Sequence, residues 1–182
     1  MLQITIPKSE LWDEKNEQFV PVEETILTLE HSLVSLSKWE ATWCKPFLNK
    51  EEKTTEQMID YIRCMCLTQN VKPAIFNGLT SENIKMISDY INNPRTATCI
   101  HENKPTGASP SREIVTSELI YYWMVAYNIP FECQKWHLNR LLTLIRICNI
   151  KNQPPKKMSQ RQIMSRNAAL NAARRKQLHT SG

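Results

Sequence analysis

Glycine is scarce in this chain: 182 residues include three. Without it there is no glycine-rich turn to cradle a phosphate, and neither G-x-G-x-x-G nor G-x-S-x-G occurs, so the motifs of nucleotide folds and nucleophile-elbow hydrolases are missing. Histidine is nearly as rare, at His31, His101, His137 and His179. A nucleophilic site needs a Cys or Ser beside a histidine that a carboxylate orients, and no such grouping is legible, so the chain reads as non-enzymatic and without cofactor. No run approaches the ~18–20 apolar residues that span a bilayer, and Met1 to Pro7 lacks the basic and apolar regions of a signal peptide. The expectation is a protein that avoids membranes and stays in the cytoplasm where it is made. Acidic residues, finally, run out after Glu132.

That last absence divides the chain. Residues 1–130 carry 12 Lys/Arg against 17 Asp/Glu, while residues 131–182 carry 11 against one. An acidic body followed by a basic end suits an acidic partner, a nucleic acid, or a second copy meeting the first head to tail. The apolar fraction, 41%, is enough for a real core. Six cysteines do not imply a disulfide framework in a chain that is neither short nor exported. Cys64-x-Cys66 and Cys133-x-x-x-His137 bring possible zinc ligands close, but in a helix the thiols of a C-x-C diverge by about 200°, and no second knuckle follows, so no metal is expected.

Hydropathy periods place the elements. Leu2, Ile4 and Ile6 alternate with polar residues, and Thr25 to Leu29 is again rich in β-formers, predicting a β-hairpin with a long loop and Pro21 at an edge or just before the second strand. From Ser32 the spacing of Leu33, Leu36, Trp39, Glu40 and Trp43 is helical, ending by Pro46. Thr54 with Gln57 reads as a capping box for a second helix to about Thr68, bearing Met58, Ile59, Ile62, Met65 and Cys66 on one face. Thr80 caps a third helix with Ile84, Ile87 and Ile91 buried and Asn93-Pro94 as its stop. Residues 93–111 read as a mobile loop. Thr116 then caps an all-round apolar run, Leu119 to Tyr127, expected to be the central helix. After Pro130 the next helix is expected from Glu132 to about Asn149, with Trp136, Leu138, Leu141, Leu142 and Ile145 packed. Pro154-Pro155 ends it, and Ser159 with Gln162 opens an alanine-rich last helix that propensity rather than packing would sustain.

These signals predict an α+β fold, mainly α: an N-terminal β-hairpin packed on a bundle of four or five helices, with a basic C-terminal helix. The globular domain is expected over 1–153 (hairpin 1–30, helices 31–92, loop 93–111, core helices 112–153) and a basic helical arm over 154–182. Arg140, Arg146, Lys151, Lys156, Lys157, Arg161, Arg166, Arg174, Arg175 and Lys176 could neutralise phosphates, but Phe131 and Trp136 are the only aromatics in this segment, which disfavours nucleic acid. The terminal helix has too few large apolar residues to anchor in a membrane surface. The remaining reading is protein binding through Lys156, Lys157, Arg161, Arg166, Leu170, Arg174, Arg175 and Lys176.

The run Glu118-Leu119-Ile120-Tyr121-Tyr122-Trp123-Met124, then Ile129 to Leu142, Pro154-Pro155-Lys156-Lys157-Met158-Ser159, Arg166 to Asn171, and the earlier His31 to Glu40, resembles the tail assembly chaperones of long-tailed bacteriophages. That resemblance spans most of the chain. It implies a protein of the infected bacterial cytoplasm that coats the phage tape-measure protein, helps recruit the tail-tube protein, and is absent from the mature virion. No activity or cofactor is implied. Two other readings are a nucleic-acid-binding phage protein and a structural virion component.

Overall fold

A computed structural model describes residues 1–13, 18–100, 114–153 and 160–178. Its fold is α+β and mainly helical. Residues Met1–Cys148 form one compact unit and Asn149–Gly182 a second.

Strand β1 (Leu2–Ile6) pairs antiparallel with β4 (Thr25–Leu29), Leu2 opposite Leu29 and Ile6 opposite Thr25. The period of two puts Ile4, Ile6, Leu27 and Leu29 in the core and leaves Ile26 in solvent. The stretch between them, expected as a loop, contains a second antiparallel pair, β2 (Ser9–Asp13) and β3 (Gln18–Val22). Pro21 sits in β3 opposite Glu10, where a two-stranded sheet makes every strand an edge and its missing N–H costs little. Both strands touch the 3-10 helix Pro73–Gly78, the support that a lone two-stranded ribbon needs.

Helix α1 (Leu33–Trp43) starts as expected. Ser32 and Ser35 cap each other reciprocally, and Cys44, in the left-handed region at φ 50°, turns the chain out of the helix. Leu33, Leu36, Trp39 and Glu40 form its buried face. Helix α2 (Thr55–Met65) opens on the predicted capping box: the Thr54 N–H donates to Gln57 Oε1 at 3.0 Å and the Gln57 N–H to Thr54 Oγ1 at 3.3 Å. Because these bonds serve backbone donors that nothing else satisfies, Thr54→Ala should cost about 1 kcal/mol in urea denaturation.

α2 stops three residues short of the expected Thr68. From Met65 the chain extends along β4: the Glu30 N–H donates to Met65 O at 2.9 Å, the Leu67 N–H to Thr28 O at 2.8 Å, and the Thr28 N–H to Thr68 Oγ1 at 2.9 Å. These bonds cover the strand edge that the hairpin leaves open, and they compete successfully with one more turn of helix.

Helix α3 (Ser81–Asn92) is capped by Thr80, and α4 (Ser117–Ala126) by Thr116. Residues 93–100 are neither helix nor strand, and the rest of the predicted loop lies outside the described residues. α4 is not buried all round as expected. Ile120 and Met124 are fully buried, but Tyr122 and Val125 are 64% and 60% exposed, because this helix borders the core on one side only.

The helix expected over 132–149 is two elements, a 3-10 turn Phe131–Lys135 and α5 (Leu138–Asn152). Trp136 is extended between them, and His137 bridges to Ser32 while the Leu138 N–H donates to His31 O at 2.7 Å. A long-range backbone pairing thus interrupts a pattern that is locally helical. α5 buries Leu138, Leu141 and Ile145. The last helix, α6, spans Gln160–Leu178; Pro154-Pro155 and the expected Ser159 cap lie outside the described residues.

Candidate functional site

α6 forms because its sequence contains neither Gly nor Pro and is dominated by Ala, Arg, Gln and Leu, all strong helix formers. It carries Arg161, Arg166, Arg174, Arg175 and Lys176 without one acidic residue. At about 100° per residue, Arg166, Leu170 and Arg174 share one face with Ile163, whereas Arg161, Arg175 and Lys176 lie on the opposite side. The helix is therefore cationic around most of its circumference, and every one of these side chains is exposed. Arg175 and Lys176 in the last turn suit the negative end of the helix dipole. Of the predicted partner-binding residues, six lie on this helix, while Lys156 and Lys157 fall outside the described residues.

Two further arrangements were not foreseen. The first is a groove of 670 Å³ lined by α2 and α3 together with Phe47, Phe76 and Leu79. One wall is the α2 stripe Thr55, Met58, Ile59 and Ile62; the other is the α3 stripe Ile84, Ile87, Ser88 and Ile91. The sequence placed Met58, Ile59 and Ile62 on one helical face and expected Ile84, Ile87 and Ile91 to be buried. In the structure Ile62 and Ile87 are buried, Met58, Ile59 and Ile91 are partly so, and Ile84 is 50% exposed. α2 and α3 do not pack along each other, so their facing stripes remain open instead of closing on one another.

The second is a buried polar cluster at the junction of β4 and α1. His31 Nδ1 lies 2.5 Å from Tyr61 Oη, and its ring meets that of His137 edge-on at 5.2 Å. His137 Nε2 is 3.0 Å from Tyr90 O; since a carbonyl only accepts, this nitrogen carries the proton and Nδ1 is left as an acceptor with no partner among the described residues. The Tyr90 hydroxyl donates to Glu30 Oε1 at 2.7 Å, and the Met1 ammonium lies 2.9 Å from Glu30 Oε2. Burial, followed by the neighbouring His137, pulls the His31 pKa down to about 3. Burial also lowers that of His137, against the Tyr90 carbonyl and Glu30, which favour its charged form. Burial raises the phenols of Tyr61 and Tyr90, keeping both as proton donors. With His31 and His137 2% and 7% exposed, this cluster ties β4, α2, α3 and the start of α5 together at one point.

Cys64 and Cys66 are partly buried and Cys133 is buried; among the described residues no three His, Cys, Asp or Glu side chains gather as a metal site would require. No helix among the described residues is long and apolar enough to cross a membrane. No protein family, no curated protein and no solved structure matches the chain.

Proposed function

We propose that this chain is a tail assembly chaperone without enzymatic activity, which binds a phage tape-measure protein, keeps it soluble and helps recruit the tail-tube protein in the cytoplasm of the infected bacterium, then leaves before the virion is complete. The observation that carries this reading is α6: 19 residues, acid-free, with every residue whose burial is described exposed. A helix of this length with so little packing is marginal by itself. Ordering it on contact lowers net affinity, which suits a chaperone that must release its client. Its small alanine surface lets another helix come close, and its arginines offer bidentate partners to carboxylates. The same cations favour nucleic acid as a second reading, but α6 has no aromatic side chain on which a base could stack.

Coexpression with the tape-measure protein tests the proposal. Neutralising Arg174, Arg175 and Lys176 to Gln in the full chain should cut recovery of soluble tape-measure protein several-fold and leave the chain's own unfolding midpoint unchanged. Equal recovery with both chains would remove α6 from the interaction.

A further inference from the structure

The groove between α2 and α3 points to a second contact, chemically unlike α6. Each wall is a helical stripe at the i, i+3, i+4, i+7 spacing: Thr55, Met58, Ile59, Ile62 on one side, Ile84, Ile87, Ser88, Ile91 on the other. Such stripes normally meet each other across a helix pair. Here they stand apart, and a half-exposed isoleucine, Ile84, is left on the rim. The seven steps from Ile84 to Ile91 rise about 10 Å, the length of two helical turns. Grooves bounded by helical ridges accept the knobs of a third helix.

The lining also says what kind of helix. Its sole charged residue is Lys53, which is partly buried. The ammonium stands 4.9 Å from the centre of the Phe47 ring and makes only long bonds, 3.5 Å to Asn49 O and 3.3 Å to Glu51 O. Among the described residues it meets no carboxylate. A partly buried cation in the lining of an apolar groove favours an anionic group on whatever occupies it. Asn77, Ser88 and Asn92 are also in the lining, which fits a polypeptide with polar flanks better than an acyl chain.

We propose that this groove receives a short amphipathic helix of a protein partner, with apolar residues at i, i+3 or i+4, and i+7 and a carboxylate placed to meet Lys53. This goes beyond the chaperone reading, since it rests neither on α6 nor on which protein provides the helix.

The test uses the full chain and a fluorescein-labelled 15-residue helical peptide with leucines at that spacing and a glutamate at one end, followed by anisotropy. Saturable binding is expected. Ile84→Glu should weaken it at least tenfold; the position is half exposed, so the fold should tolerate the change. Lys53→Glu should weaken it about fivefold, and a peptide with lysine in place of the glutamate should restore it. Absence of saturable binding overturns the proposal, as does binding indifferent to Ile84→Glu. Binding lost only when Arg174, Arg175 and Lys176 become Gln would assign the peptide to α6 and leave the groove without a role. If dodecanoate binds in an Ile84-dependent way and the peptide does not, the groove takes an acyl chain and the helix proposal fails. Loss of the tape-measure interaction in the α6 variant bears on the chaperone reading alone.

Discussion

Replacing Glu40 by alanine is expected to lower the unfolding free energy by about 3–5 kcal/mol, because a buried carboxylate that serves two backbone donors at once would disappear. Glu40 lies on the buried face of α1. Its Oε1 accepts the Phe47 N–H at 2.8 Å and its Oε2 the Ser117 N–H at 2.7 Å. The first bond fixes the turn that leaves α1 and brings Phe47 onto Tyr61, their rings stacked at 3.8 Å. The second satisfies a donor in the first turn of α4, where N–H groups have no partner within the helix and the dipole favours an anion. Alanine would strand both donors away from water, so the cost is that of two charge-assisted bonds less whatever water enters. Glutamine should recover only part of it, since its amide nitrogen would face one of the two N–H groups. Urea denaturation of the three proteins at neutral pH measures this. Should alanine cost under about 1 kcal/mol, the two bonds do not hold the turn after α1 and the start of α4 as described.

Acid should weaken the fold before any ordinary carboxylate titrates. His31 and His137 both have folded pKa values below the ordinary 6.5, owing chiefly to burial. A histidine whose folded pKa is depressed binds its proton more readily when unfolded, so its contribution is complete above pH 6.5 and is lost as pH falls from there toward the folded value. For His31 that value is about 3, so the loss runs through the whole interval. Each such histidine removes up to about 1.4 kcal/mol per pH unit. Between pH 6.5 and 5, His31 alone should cost about 2 kcal/mol, and His137 adds a loss of the same sign. The unfolding midpoint in urea, followed from pH 7.5 to 5, should fall accordingly. His31→Gln, which can still bond to Tyr61 but does not titrate, should flatten that slope; a slope unchanged by the substitution would place the acid sensitivity elsewhere.

The same cluster shows why a capping box and a histidine pair differ in legibility. Thr54, Thr80 and Thr116 all cap the helices that the sequence marks them for, because a cap is decided by residues three apart in the chain. The β1–β4 pairing was equally legible, since alternation in the first strand and a run of β-formers in the second predict a hairpin. His31 and His137, 106 positions apart, carry no such mark. Neither does Lys53, which in the run Lys50-Glu51-Glu52-Lys53 looks like any solvated surface residue.

Where local signals misled, a distant partner had intervened. α2 ends early because residues 65–68 bond to β4, and the helix after Pro130 breaks because His137 and Leu138 pair with Ser32 and His31. The charged stretch between the first and last strands hid a hairpin whose alternation is too short to stand out.

By itself, then, the sequence determined the mainly helical α+β class, the starts of α1 to α4, the buried face of β1 and the basic, alanine-rich character of α6, all properties set by residues within a turn or two of one another. Tertiary structure decided that the stripes of α2 and α3 line an open groove instead of a closed core, that Lys53 joins its lining, and that Glu40 and the histidines become buried linchpins. Those outcomes depend on which surfaces the folded chain brings together, and separation along a sequence leaves no periodic trace of that.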